Sequence, residues 1–289
     1  MDRAWCAPHR SRIVCELLAL NSNVPVTATL SFAGLSARGG LTGDHVDGWG
    51  LGFHGGDACQ VFVDTGRACD APLAQFLQHH PPRATTVLAH VRKATQGAVA
   101  LANCHPFQRT WRGRHWLFCH NGDLKDFAPR LDGGFRPTGA TDSERAFCWL
   151  LQELERAAPG ARPGEPVAWP AVVEALATLV PRISRHGAFN LLLTDGHVLV
   201  AHCSTRMSWL LRRHPFGSAR LLDRDLEVDL DRFNQPGDQM AVVATAPLTY
   251  DEPWQSMVPG ELRVFGEGQL LATRRLSAPQ PEPAATAAA

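Results

Sequence analysis

Short apolar runs and amphipathic stretches follow one another along the chain, and their order predicts strands first, helices in the middle and strands again. CELLAL (15–20) is a compact apolar run suited to a buried strand. Residues 27–40 read as a short helix that ends at Gly39-Gly40. DGWGLGF (47–53) and CQVFVDT (59–65) alternate like strands across a Gly55-Gly56-Asp57 turn. A helix is predicted over 71–80, stopped by Pro81-Pro82. TVLAHVR (86–92) and HWLFCH (115–120) have strand character. Thr141-Asp142-Ser143 supplies N-cap residues for a helix that runs to Ala157.

The stretch 158–169 is rich in Gly and Pro and reads as a loop, and 171–184 has helical spacing. LLLTDG (191–196) and HVLVAHC (197–203) form a hairpin pattern, continued by strand-like runs at 208–213, 239–245 and 261–275. This order predicts an α+β fold with antiparallel sheets, not a parallel βαβ array. No composition break divides 15–276, which reads as one domain, and the Pro/Ala-rich tail 277–289 reads as disordered.

Bulk numbers narrow the function classes. Lys+Arg and Asp+Glu both count 28, and no basic stripe stands out, so nucleic acid and anionic membrane surfaces are not the expected partners. No apolar run approaches the roughly 20 residues that span a bilayer, and the first fourteen residues lack the apolar core of a secretory signal. The 8 cysteines show no C-x-x-C pair, which suits reduced thiols in a cytoplasmic protein. No metal-binding spacing of His and Cys is present, so no metal or organic cofactor is expected.

Four segments carry candidate chemistry, each weak alone. Cys15 opens an apolar strand, where a cysteine is ordinarily a core residue. As a nucleophile it must lose a proton from a thiol of pKa about 8.5, and its own α-amine could take that proton if Cys15 began the chain. Arg92 closes a strand and suits a bidentate carboxylate clamp as well as a solvated strand end. Thr95, three residues on, adds a hydroxyl. Asn121-Gly122 reads either as a tight hairpin turn or as an oxyanion hole built from a side-chain amide and a backbone N–H. Asp142 stands where a helix cap or a carboxylate for a substrate ammonium would stand.

In this order the segments resemble the glutaminase domain of class II glutamine amidotransferases, the N-terminal-nucleophile amidohydrolases. The family pattern of an N-terminal Cys, H-x-R-x-x-T, H-N-G and T-D-S-E is matched by Cys15, His90 to Thr95, His120 to Gly122 and Thr141 to Glu144. DGWGLGF, NCHPF (103–107) and PLTYDEPW (247–254) resemble the small stand-alone branch. The resemblance covers roughly 15–275 and implies a four-layer αββα sandwich. It implies Cys15 as nucleophile with its α-amine as base, Asn121 and Gly122 as oxyanion hole, and Arg92, Thr95 and Asp142 as holders of the amino-acid end of glutamine. The reaction would pass through a γ-glutamyl thioester. His105, His120, Asp47 and Trp49 are expected to support the site structurally.

One departure stands out: residues 1–14 precede Cys15, whereas the mechanism needs a free amine there. A removed propeptide is one explanation. The favoured one is translation from Val14, a GTG start read as valine, which makes 1–14 non-native. The residues after 200 are expected to complete the amidohydrolase domain, with no synthase domain among them. The expected functions are therefore a glutaminase serving a separate ammonia-accepting synthase or a stand-alone hydrolase of another γ-glutamyl amide, of the glutathione or ergothioneine-precursor type. A catalytically silent glutamine-binding module is the third.

Overall fold

A computed structural model describes residues 15–56, 58–157 and 165–276. The predicted N-terminal extension, the predicted tail, part of the 158–169 loop and Asp57 of the predicted turn lie outside the described residues.

Two antiparallel sheets face each other. The larger is ordered β13-β9-β12-β1-β4-β2-β3. Its strands are β1 (Glu16–Val26), β2 (Trp49–Gly55), β3 (Ala58–Asp64), β4 (Ala84–Val91), β9 (Ser208–Arg213), β12 (Gln239–Ala244) and β13 (Gln255–Ser256). The smaller is ordered β15-β14-β8-β7-β6-β5. It comprises β5 (Phe107–Trp111), β6 (Arg114–Asn121), β7 (Asn190–Thr194), β8 (Val198–His202), β14 (Glu261–Gly266) and β15 (Gln269–Arg275). A separate hairpin joins β10 (Ser218–Arg220) to β11 (Glu227–Asp229).

Helices cover both outer faces. α1 (Thr29–Arg38) and α2 (Pro72–His79) lie on the larger sheet, burying Phe32, Leu35 and Leu77 against Leu18, Leu51 and Val242. α3 (Asp142–Ala157) and α4 (Trp169–Ser184) lie on the smaller sheet, burying Phe147, Leu150 and Leu176 against Phe118, Leu191 and Val264. Between the sheets sits a third apolar layer, including Leu17, Ala19, Leu88, Leu117, Cys119, Leu192, Ala241 and Val243. The architecture is thus the four-layer αββα sandwich expected.

Strand alternation explains why three cores form. Successive side chains point to opposite faces, so Leu18 and Leu20 of β1 enter the helix-facing core while Leu17 and Ala19 enter the inter-sheet core. Both faces are covered, so the central strands are apolar at consecutive positions. Gly50 has a separate role. A Cβ there would lie 2.2 Å from the carbonyl oxygen of His105, so only glycine lets the segment before β5 pass against β2.

Some boundaries differ from the sequence reading. β1 runs on past the apolar run to Val26, because Asn21 is buried with partners: it donates to Thr86 Oγ1 (3.0 Å) and accepts from Gly268 N (3.0 Å). α4 starts at Trp169, inside the predicted loop, with Pro170 in its first turn, where a missing N–H costs nothing. Asn121-Gly122 is not a hairpin turn: β6 ends at Asn121, and the chain leaves it in a long connection to α3.

Candidate active site

The inter-sheet alternation that buries leucines in mid-sheet delivers polar side chains at one end. Along β1 and the residue before it the series is Cys15, Leu17, Ala19; along β4 and the residue after it, Leu88, His90, Arg92; on β6, Leu117, Cys119, Asn121; along β12 and the residue after it, Ala241, Val243, Thr245. Cys15, Arg92, Asn121 and Thr245 are all buried, and hydrogen bonds link two of them to the Cys15 region directly. The segments separated in sequence thus converge where the layer ends.

Two residues bond to Cys15 directly, and Thr245 braces its neighbours. The Cys15 Sγ lies 3.4 Å from both the backbone N and the carbonyl O of Lys93. Its own carbonyl oxygen accepts a 2.5 Å bond from Asn121 Nδ2. Thr245 Oγ1 accepts from Leu17 N at 2.9 Å and from Asn121 Nδ2 at 3.5 Å. Burial pushes the Cys15 thiol up to about 12, against the smaller opposing effects of the Lys93 bond and the Arg92 charge. The group is therefore a protonated thiol at neutral pH.

A measurable consequence follows for a chain retaining residues 1–14. Alkylation of Cys15 by iodoacetamide should rise about tenfold per pH unit from pH 7 to 10, since the thiolate fraction grows tenfold per unit below the pKa. Peptide mass mapping reads the rate, and a plateau reached by pH 9 would contradict it.

Asn121 and Gly122 stand at the end of β6, tied to Cys15 through the Asn121 amide. The backbone carbonyl of Asn121 accepts from Asn190 Nδ2 at 3.0 Å, and Asn190 Oδ1 in turn accepts from Ser204 N (2.9 Å) and Thr205 N (3.0 Å). A Cβ on Gly122 would sit 1.8 Å from the Ala188 carbonyl oxygen, so the segment lies flat against residues 187–188. His120 fixes this packing. Its Nε2 donates to Ala188 O (3.0 Å), since a carbonyl can only accept, which leaves Nδ1 to accept from Ser143 Oγ (2.8 Å). Burial lowers the His120 pKa despite nearby Asp142.

Asp142 is the first residue of α3, yet Thr141 caps the helix through its Oγ1, which accepts from Glu144 N at 3.2 Å. Asp142 Oδ2 accepts from Leu124 N (2.8 Å) and Oδ1 from Ser143 N (2.9 Å). The carboxylate thus ties the segment after Gly122 to the helix. Arg92 is buried, and its guanidinium serves the loop that follows it. Nη2 donates to Gln96 O (2.8 Å) and Gly97 O (3.2 Å), and Nη1 to Ala98 O (3.3 Å) and Asp47 O (3.4 Å). Gln96 Nε2 crosses to Asp123 Oδ1 at 2.5 Å, so this loop straps across to the segment after Gly122. Thr95 is exposed on the strap.

Of the four residues expected to give structural support, His120 and Asp47 are hydrogen-bonded beside the site, whereas Trp49 packs in the helix-facing core of the larger sheet. Asp47 Oδ2 accepts from Ala94 N (2.8 Å), Trp49 is fully buried against Phe32, and His105 lies tilted against His90 with centroids 4.3 Å apart. Burial drives His90 down to about 3 and His105 well below the usual histidine range, so both imidazoles are neutral. Sequence reasoning missed Thr245, Asn190 and Arg38. The available signal was a polar residue ending an apolar strand in phase with its inward face, as Thr245 and Asn190 do. Among the described residues no cluster of His, Cys, Asp and Glu is arranged to hold a metal ion, and no helix is long and apolar enough to cross a membrane.

Comparison with known proteins adds independent observations. Residues 14–289 match the family model described as glutamine amidotransferases class-II. YafJ of Escherichia coli (strain K12) is 45% identical over 256 residues, which covers 89% of this chain and 99% of YafJ. A Haemophilus influenzae protein whose name also refers to glutamine amidotransferase is 36% identical, covering 90% of this chain and 87% of its own length. The crystal structure of a predicted glutamine amidotransferase from Pseudomonas aeruginosa PA01 superimposes with a TM-score of 0.70 at 39% identity, covering 89% of this chain and all of that one. Glutamine phosphoribosylpyrophosphate amidotransferase of B. subtilis, at 14% identity and a TM-score of 0.57, shares the fold over 49% of its length.

Proposed function

Since the chain belongs to the class II glutamine amidotransferases, we propose that it is an amidohydrolase in which Cys15, as the first residue of the working chain, attacks the γ-amide of glutamine. The observation that carries this reading is the convergence of Cys15, Asn121, Gly122, Arg92 and Asp142 on one end of the inter-sheet layer.

The steps are these. The Cys15 α-amine takes the thiol proton, and sulfur bonds to the carbonyl carbon of the side-chain amide, whose C=O π pair moves onto oxygen. The developing oxyanion meets the Gly122 N–H and the Asn121 amide, whose second hydrogen is bound only at 3.5 Å, to Thr245. The C–N bond breaks, the proton passes to the leaving nitrogen, and ammonia departs. Water then cleaves the γ-glutamyl thioester to glutamate. Arg92 binds the α-carboxylate, which must displace the strap carbonyls now accepting from its guanidinium, so glutamine binding moves residues 96–98. Asp142 and Thr95 receive the α-ammonium end. We place the reaction in the cytoplasm, with ammonia taken by a separate synthase or released.

Side-by-side assays of the Cys15-started protein separate the substrate classes. Glutamine should give the highest kcat/KM among glutamine, glutathione and γ-glutamylcysteine conjugates. Turnover of the conjugates with none of glutamine would reassign the substrate to a γ-glutamyl amide. Absence of turnover and of any covalent adduct would leave only a binding module.

A further inference from the structure

We propose that Arg38 is a positioning residue for the nucleophile: a buried guanidinium that staples the start of β1 to the chain leaving β12. The inference rests on the reading of Cys15 as an N-terminal nucleophile.

The register shows why a staple is needed. β1 and β12 pair with Leu18 opposite Ala244, and Thr245 N still donates to Leu17 O at 3.1 Å. Glu16 would face Ala246, but the next residue is Pro247, which has no N–H to extend the ladder. On its other side β1 pairs with β4 as far as Glu16 opposite Val91, so it is the β12 side alone that lacks ladder bonds at the start of the strand, and a chain terminus held along one edge is prone to fray. A nucleophile placed there loses rate steeply with small displacements.

Arg38 fills that gap. It stands in the last turn of α1, where its charge suits the helix dipole. Nη1 donates to Glu16 Oε2 (3.1 Å) and to Ala246 O (3.3 Å), Nη2 donates to Pro247 O, and Nε donates to Asp223 Oδ2 (2.7 Å). Three nitrogens of one rigid fork thus reach four acceptors on three segments, a geometry that lysine cannot copy. Asp223, in the turn between β10 and β11, also accepts from Thr42 Oγ1 (2.8 Å), which fixes the outer side of the fork. Arg38 is 9% and Glu16 3% exposed, so the pair is out of water.

The placement relative to Cys15 turns this ion pair into a functional device. Glu16 is covalently next to Cys15 and, by strand alternation, points to the opposite face. Arg38 therefore anchors β1 from the helix side, while Lys93, Asn121 and Thr245 hold it from the inter-sheet side. None of Arg38's bonds reaches the glutamine-holding residues. Its loss should slow attack by Cys15 and leave glutamine affinity intact.

The test uses the full chain started at Cys15, a glutamine-like diazoketone that alkylates the nucleophile, and protection by glutamine. R38M alone strands the buried Glu16 carboxylate, so R38M/E16Q is the informative variant. R38K keeps the charge and guards against misfolding. R38M/E16Q should react at least tenfold more slowly, R38K roughly threefold more slowly, and both should keep the glutamine concentration for half-protection within about twofold. Unchanged alkylation rates in folded variants would overturn the proposal, as would a loss of protection that parallels the loss of rate. If the unsubstituted chain itself fails to react, the reading of Cys15 falls and the proposal falls with it.

Discussion

Glutamine hydrolysis is expected from a chain that begins at Cys15, and the same chain carrying residues 1–14 should be slower by about 10³-fold or more. The reasoning starts with the thiol. Burial holds it at about 12, so roughly one molecule in 10⁵ carries a thiolate at pH 7. A base within reach is therefore required, and the surroundings offer no imidazole for the task. His120 has both ring nitrogens engaged, and burial drives His90 down to about 3 and His105 well below the usual histidine range, which leaves both too weakly basic to take a thiol proton. A free α-amine with a pKa of about 7.7–8.0 meets the need; an amide nitrogen does not. Ammonia release from the two chains at equal concentration measures the difference. Equal rates, with the extension shown by intact mass to be retained, would defeat the proposed mechanism.

The second large effect is expected at Gly122. Gly122→Ala should lower kcat by about 10²–10³ and also lower the melting midpoint. The new methyl group would lie 1.8 Å from Ala188 O and 2.6 Å from His120 Nε2, neither of which can retreat cheaply. Ala188 O is already bonded to His120. The backbone of 122–124 must move instead, carrying away the Gly122 N–H and loosening the Leu124 N bond to Asp142. One displacement thus damages the oxyanion donor and the ammonium-side carboxylate together. Rates per diazoketone-titratable site, taken well below the melting midpoint, separate catalysis from unfolding. A loss smaller than about threefold would remove Gly122 from the oxyanion hole.

The fold class was legible because the central strands are apolar at consecutive positions and the helices are not, a contrast that survives in a single sequence. Elements too short to show a period were not legible: the three-residue β10 and β11 and the two-residue β13. β5 was missed because Gln108, Arg109 and Thr110 fill its middle; its pairing with β6 across Arg112-Gly113 makes it a strand. The motifs single out Cys15, Arg92, Thr95, Asn121, Gly122 and Asp142 as candidates, of which Thr95 alone is exposed. Partners fixed by tertiary pairing were not legible. Thr245 meets Leu17 across 228 positions, and Arg38 meets Pro247 across 209. No local pattern records such contacts. The strap over Arg92 was also hidden, since nothing in H-x-R-x-x-T says that the guanidinium binds its own following loop.

The most direct measurement of the central claim is the intact and peptide-mapped mass of the chain after reaction with a glutamine-like diazoketone. The chain beginning at Cys15 should gain one adduct, on Cys15, and lose it when glutamine is in excess. The chain retaining residues 1–14 and the Cys15→Ala chain should gain none at neutral pH. An adduct on another of the cysteines, or one formed equally well on the extended chain, would contradict the assignment of Cys15 as an N-terminal nucleophile.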